Sequence, residues 1–286
     1  MRIAGAPISW GICEVPGWGY QLDPTRVLAE MRAAGLAATE FGPDGFLPGD
    51  PAARAATLRA AGLEAVGGFV PVVLHDPSAD PTPRIDRTLD SFVAAGATML
   101  VLAAATGLGG YDARLELDDA GWKTLCANLD RIAEQATERG VRATLHPHVG
   151  TMVEHRDDVD RALEGCSIPL CLDTGHLLIG GTDPVQLARG AANRIAHVHL
   201  KDVDDAIASR MRNAEITYTA AVSAGMYKPL GQGDIDIASV VGSLTNAGYD
   251  GWWVLEQDTM LRGEPAGEGP VAGVRASVAF LQGLAP

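Results

Sequence analysis

The segment IAHVHLKD, residues 195–202, decides how this chain is read. It is a short apolar run ending in chemically able side chains, and because side chains alternate along an extended strand, His197, His199 and Lys201 share one face. Three further runs have the same form: ATLHPH (143–148), PLCLDTGH (169–176) and WWVLEQD (252–258). In an α/β barrel, the carboxyl ends of successive parallel strands converge on one point, where barrel enzymes do their chemistry. Four such ends in the second half of the chain predict that architecture.

The rest of the sequence is consistent with it. Apolar strand-like runs fall at 2–9, 36–41, 63–74, 98–104, 141–146, 168–173, 194–200 and 251–256, eight in all. Amphipathic helical patterns lie between them, at 24–35, 51–62, 84–96, 118–140, 155–165, 183–193 and 237–247. Pro24 after Asp23 marks a helix start, and Gly140 marks a stop. Alternation of this kind, unbroken by a linker rich in Ser, Pro or Lys, predicts one (β/α)₈ domain spanning 1–286. The Ala-rich segment 203–235 is weakly patterned and reads as an extended loop over the active-site mouth.

Composition narrows the function. The chain has 286 residues, 47% of them hydrophobic, near the length of one such barrel. With 22 basic and 36 acidic residues its net charge is −14, which repels a phosphate backbone and argues against a nucleic-acid partner. No apolar run approaches the roughly 20 residues of a membrane span, and MRIAGAPISWG lacks the form of a secretory signal, so the expectation is a cytoplasmic protein. Cys13, Cys126, Cys166 and Cys171 form no CxxC pair and read as thiols rather than disulfides or a zinc knuckle.

Each strand end has a chemical reading and a bland one. Asp173 and His176 in LDTGH could ligate a cation and face the same cavity, with Gly175 permitting a sharp turn; or Asp173 caps a helix and His176 packs. Of His197 and His199, one could fill the barrel layer while the other meets a metal, and Lys201 could supply a cation or a proton. His146 and His148 flank Pro147, and Glu256 ends the last strand. Taken together, an Asp, His, Glu set plus one more His or Glu suits Mn²⁺, Co²⁺, Zn²⁺ or Fe²⁺ better than a hard all-oxygen Mg²⁺ site. Gly231 and Gly233 in PLGQGD resemble a phosphate-cradling turn only weakly, and read instead as a loop closing over a ligand.

The segments APISWG, TEFGPDGFLP (39–48), LHPHVGT (145–151), LDTGH, HVHLKD, PLGQGDIDI (229–237) and GWWVLEQD (251–258) carry a family resemblance. The chain resembles the xylose isomerase-like TIM-barrel superfamily of sugar isomerases, sugar 3-epimerases and endonuclease IV. Within it, the chain is most similar to the inosose dehydratase branch. The resemblance implies metal ligands at Asp173, His199 and Glu256. Where epimerases carry a fourth-ligand Glu this chain has His146-Pro147-His148. His146 is favoured as the ligand with His148 near substrate, and Glu154 is a further candidate.

The resemblance implies a hydro-lyase that enolises a cyclic polyol ketone and expels a β-hydroxyl, using a divalent cation, Mn²⁺ or Co²⁺ first, with Zn²⁺, Fe²⁺ or Mg²⁺ as alternatives. Glu256 or a histidine would be the base; His176, His148 and Lys201 are candidate acids or oxygen ligands. Glu40 would bind substrate hydroxyls, with Trp10 and Phe41 as pocket walls. A metal-dependent ketose isomerase or 3-epimerase, and a non-catalytic sugar-binding barrel, remain open alternatives. The family implies a small polyol or sugar as partner and a homo-oligomer.

Overall fold

The computed structural model describes residues 1–284. Its strands are β1 (Arg2–Gly5), β2 (Ala38–Thr39), β3 (Glu64–Ala65), β4 (Gly67–Val72), β5 (Met99–Ala104), β6 (Arg142–Leu145), β7 (Leu170–Asp173), β8 (Ile195–Leu200), β9 (Asp202–Val203), β10 (Tyr227–Lys228) and β11 (Trp252–Leu255). All but β9 and β10 form one parallel sheet in the order β3-β2-β1-β11-β8-β7-β6-β5-β4. β3 and β4 are successive pieces of one extended segment, broken only at Val66, so the sheet closes on itself. The result is a parallel α/β barrel of eight staves, with β4 four staves from β8 in either direction.

Local chemistry explains the elements. MLVLAA in β5 is buried at every position, as a parallel strand covered on both faces requires. The helices are α1 (Pro24–Ala33), α2 (Pro51–Ala61), α3 (Thr82–Ala95), α4 (Asp119–Glu138), α5 (Arg156–Gly165), α6 (Thr174–Ile179), α7 (Pro184–Gly190), α8 (Asp205–Arg212), α9 (Tyr218–Ser223), α10 (Ile237–Asn246) and α11 (Val271–Leu284). Three of them, α1, α2 and α7, start with the same device. An Asp side chain (Asp23, Asp50, Asp183) accepts from backbone N–H groups of the first turn, and Pro occupies the first helical position. Such caps each contribute about 1 kcal/mol. In α4, Trp122, Leu125, Leu129, Ile132 and Ala136 form the buried stripe against the sheet. No helix among the described residues is long and apolar enough to cross a membrane.

The structure departs from the sequence reading in three places. Segment 203–235 is not an extended loop: it folds into α8, α9 and an antiparallel β9–β10 ladder that pairs Val203 with Tyr227. α6 begins directly on Asp173, and α11 adds a helix beyond those read from the sequence. The PLGQGD turn is neither a phosphate cradle nor a cavity wall. The N–H groups of Gly231, Gly233 and Ile235 donate to the Asp202 carboxylate at 2.8, 3.0 and 3.1 Å, so the chain fills this nest itself. A Cβ at Gly233 would lie 2.3 Å from that carboxylate.

Candidate metal centre and active-site cavity

Strand register assembles the centre. β7 and β8 pair so that Asp173 stands opposite His199, and β8 pairs with β11 through His199 and Val254. The Glu256 N–H donates to Leu200 O at 3.1 Å, which sets Glu256 one step past β11. Asp173, His199 and Glu256 therefore offer ligand atoms that all lie within 4.8 Å of one another, and all three residues are buried. His146 joins from β6, its Nε2 3.3 Å from Asp173 Oδ2. The structure places His146, not His148, beside Asp173. Glu154 lies elsewhere, accepting from Gly150 N at 2.8 Å inside a turn.

Asp173 carries both readings offered by the sequence. Its Oδ1 caps α6 by accepting from His176 N at 2.8 Å, which leaves Oδ2 for the centre. Gly175 has no positive φ; it is needed because a Cβ there would approach the Lys201 side chain to 2.7 Å. The glycine of LDTGH thus lets the first turn of α6 pack on β8, rather than making a turn.

The imidazole of His199 is aimed by Glu40. Nε2 of His199 and Nε2 of His197 each donate to Glu40 Oε1 at 2.9 Å, so His197 fills the layer below while His199 turns Nδ1 toward Asp173 and Glu256. That nitrogen is 3.7 Å from Asp173 Oδ2 and 3.2 Å from Glu256 Oε2, yet it makes no hydrogen bond. Nδ1 of His146 is likewise buried without a partner. Orphaned imidazole nitrogens in a dry site are costly unless something completes them, and two carboxylates beside them supply the charge that a divalent cation needs. The donor set fits a borderline metal.

Lys201 balances the carboxylates. Its ammonium lies 3.1 Å from Asp173 Oδ2, 3.2 Å from Asp258 Oδ1, and in direct contact with Glu256. Burial would lower its pKa, but Asp173, Asp258 and Glu256 raise it well above the ordinary lysine value. Burial would likewise raise Glu256, and His199 and Lys201 reverse this, holding it below the usual carboxylate range. Glu40 is held low against the same burial by His199 and His197. Asp258 behaves differently. Burial dominates, helped by Glu256 and opposed by Lys201, and pushes it up to about 6. Its Oδ2 accepts from the Tyr218 hydroxyl at 2.7 Å.

These groups open into a cavity of about 790 Å³. Glu40, His146, His148, Lys201 and Glu256 line it, and Phe41 forms part of its wall, packed on Phe92 with ring centroids 5.0 Å apart. Trp10 does not. It is fully buried, donates its indole N–H to Glu30 at 2.8 Å, and belongs to the core; Trp18, absent from the sequence reading, lines the cavity in its place. His176 also stays behind the cavity wall, its ring 3.7 Å from that of His148. His148 donates through Nδ1 to Val149 O at 2.7 Å. Burial, with His146 and Lys201 nearby, lowers its pKa to about 3, so the ring is neutral with Nε2 unprotonated.

Sequence reasoning also passed over Asp258 and Tyr218. Asp258 had a signal, since it follows Glu256 by two residues and so continues the same face. Tyr218 had none, because it arrives from α9 within the segment that read as loop.

The four cysteines are free thiols, although Cys126 Sγ and Cys166 Sγ lie 2.6 Å apart. Burial pushes the Cys171 thiol, next to His199, up to about 11.

Comparison with known proteins bears on the family and the fold. Inosose dehydratase of Geobacillus kaustophilus is 32% identical over 275 residues, covering 90% of this chain and 87% of that protein. Rhizopine catabolism protein MocC of Rhizobium meliloti is 33% identical over 272 residues, covering 90% and 82%. Among solved structures, L-ribulose 3-epimerase superposes with a TM-score of 0.73 over 99% of this chain and 94% of that one, at 18% identity, a likeness of fold. The family model for xylose isomerase-like TIM barrels matches residues 28–284. With a closed parallel barrel and a buried Asp, His, Glu set at its carboxyl end, the chain belongs to the xylose isomerase-like TIM-barrel family.

Proposed function

We propose that this enzyme is a metal-dependent hydro-lyase acting on a cyclic polyol ketone of the inosose type. The observation that carries the reading is the convergence of Asp173, His199 and Glu256, with His199 Nδ1 left unpartnered between two carboxylates. Relatives over 30% identical across most of their length, one of them named inosose dehydratase, support the substrate class. The residues that would hold the cation are Asp173, His199 and Glu256, with His146 as the fourth. When bound, the cation supplies Lewis-acid polarisation of the substrate's ketone and adjacent hydroxyl.

The chain's own groups handle the protons. The α C–H bond gives its proton to a base, its electron pair forms the new double bond, and the β C–O bond breaks as the departing hydroxyl is protonated to water. The resulting enol tautomerises to a diketone. Glu256, held ionised by His199 and Lys201, and His148, held neutral by burial, are groups in the cavity that can accept the α-proton. Lys201 and the Tyr218–Asp258 pair are the donors that face the cavity. His176 packs behind His148 and positions it. Glu40 orients His199 through Oε1 and also lines the cavity, where it can meet substrate hydroxyls.

Purified protein given inosose and a divalent metal should develop diketone absorbance, and chelation or Asp173→Ala should abolish it. Epimerisation of a ketohexose with inosose left untouched would replace the dehydratase reading with an epimerase.

A further inference from the structure

The cavity has a second, cationic end. Arg54 stands in the first turn of α2, and Arg84 and Arg87 stand in the first two turns of α3; all three line the same cavity as Glu40 and Lys201. α3 follows β4, four staves from β8, and α2 follows β2, three staves from it, so half-buried Arg54 and the exposed Arg84 and Arg87 line the barrel mouth on the side away from β8. Phe41 and Phe92, packed on one another, add an apolar part to the same lining.

The guanidinium groups are not spent elsewhere. Among the described residues none of the three is in an ion pair, in a chain with 36 acidic and 22 basic residues where arginines such as Arg114 and Arg139 do pair. Asp44, which lines the same cavity, pairs with none of them either. Arg54 is held through one nitrogen, Nε donating to Pro48 O at 3.0 Å, with its guanidinium 5.3 Å from the Phe41 ring centre. Its terminal nitrogens stay available. Ser91 adds a hydroxyl on the same side, whereas the Thr88 hydroxyl is spent on Arg84 O at 3.0 Å. At about 790 Å³ the cavity is in the upper part of the range for drug-sized ligands, more than a bare polyol ring fills.

We propose that Arg54, Arg84 and Arg87 form an anion subsite that takes a carboxylate or phosphate group carried by the substrate on the side of its ring away from the ketone. This rests on the reading of the cavity as a polyol-ketone site, and it makes an acidic derivative a better substrate than the neutral inosose. Arginine forks recognise both groups through paired, charge-assisted hydrogen bonds.

Calorimetric titration of the metal-loaded full chain with myo-inositol, myo-inositol 1-phosphate and quinate tests the subsite and separates its two possible anions. The expected result is that the phosphate ester or the carboxylate binds at least about tenfold more tightly than the neutral ring. In Arg54→Ala, and in an Arg84→Ala, Arg87→Ala double variant, that ratio should fall below about twofold. Equal affinity for neutral and anionic rings, or a preference that survives both variants, overturns the proposal. Inorganic phosphate titrated into chelator-treated protein reads the arginines without any polyol, and its binding should vanish in the double variant. Failure of the dehydratase reading would appear separately, as no dehydration of inosose or of an acidic inosose derivative, with the anion preference intact.

Discussion

Glu40 fixes the orientation of His199: the carboxylate accepts from Nε2 at 2.9 Å, so Nδ1 is the nitrogen that faces Asp173 and Glu256. A carboxylate behind a ligating imidazole sets its tautomer and raises its basicity, and losing such a partner typically costs about 10–100-fold in metal affinity. Glu40→Gln should therefore weaken Mn²⁺ binding by roughly that factor while the fold persists. Titration with metal, followed by calorimetry, checks this; unchanged affinity would mean that His199 is oriented by packing alone.

Lys201 predicts a different pattern. Its ammonium neutralises Asp173, Glu256 and Asp258 in a buried site, and removing one partner of a buried ion pair costs about 3–5 kcal/mol. Lys201→Met should therefore lower the melting temperature of chelated protein sharply and reduce turnover by about 10²–10⁴-fold, the range for a lost proton donor. A divalent cation brings positive charge to the same carboxylates. Added Mn²⁺ should consequently raise the melting temperature of the variant more than that of the native protein. An equal rise in both would show that the lysine does not share its carboxylates with the metal.

How much of this was visible in the sequence depended on the length and burial of each element. β5 was legible because a six-residue parallel strand buried on both faces appears as an unbroken apolar run, and β8 because its apolar residues alternate with His197 and His199 on one face. Asp173, His199 and Glu256 were legible because they end such runs. α8 and α9 were not, being eight and six residues long, and α8 fully buries only Ala208, too little for a periodic pattern. α11 contains Gly273 and Gly283, each unfavourable by about 1 kcal/mol in a helix interior, which obscures its propensity. The Arg54, Arg84 and Arg87 grouping was invisible for another reason: it exists only once α2 and α3 are placed side by side around one cavity.

Trp10 separates core from cavity. Its indole N–H donates to Glu30 at 2.8 Å, and Glu30 keeps a second bond from Arg26 Nε at 2.7 Å, so Trp10→Phe leaves the carboxylate partly satisfied. The expected cost is about 1–2 kcal/mol of stability, seen as a lower melting temperature, with kcat/KM unchanged. Trp18→Ala, by contrast, removes a cavity wall and should raise KM. A rise in KM for the Trp10 variant would return that residue to the pocket.

His148 and His176 stack with centroids 3.7 Å apart and are both buried, and the pair gives the protein an acid limit. Burial and neighbouring cations hold both pKa values below the ordinary 6.5, that of His148 at about 3. A group whose folded pKa is depressed contributes stability that is fully present above its unfolded pKa and is lost as pH falls toward the folded value. For His148 that window runs from about pH 6.5 down to about 3, and its full loss is on the order of a few kcal/mol. Asp258 works in the opposite sense. Its folded pKa is raised to about 6 from 3.8, so its contribution is present below 3.8 and lost as pH rises through 6, which offsets part of the histidine effect. His146, His176 and His197 are depressed too and lose stability in the same direction as His148 below about pH 6.5, while the depressed carboxylates Asp173, Glu40 and Glu256 add to the loss only at lower pH. His199, raised against burial by Cys171, Glu256 and Glu40, works with Asp258 in the opposite sense, so the fall below about 6.5 follows the four depressed histidines. The melting temperature of chelator-treated protein should be higher near about pH 7 than in acid and fall progressively below about 6.5. His148→Gln, which cannot be protonated, should flatten that limb, and a native protein equally stable at about pH 7 and pH 4 would mean that the stacked rings are not held neutral.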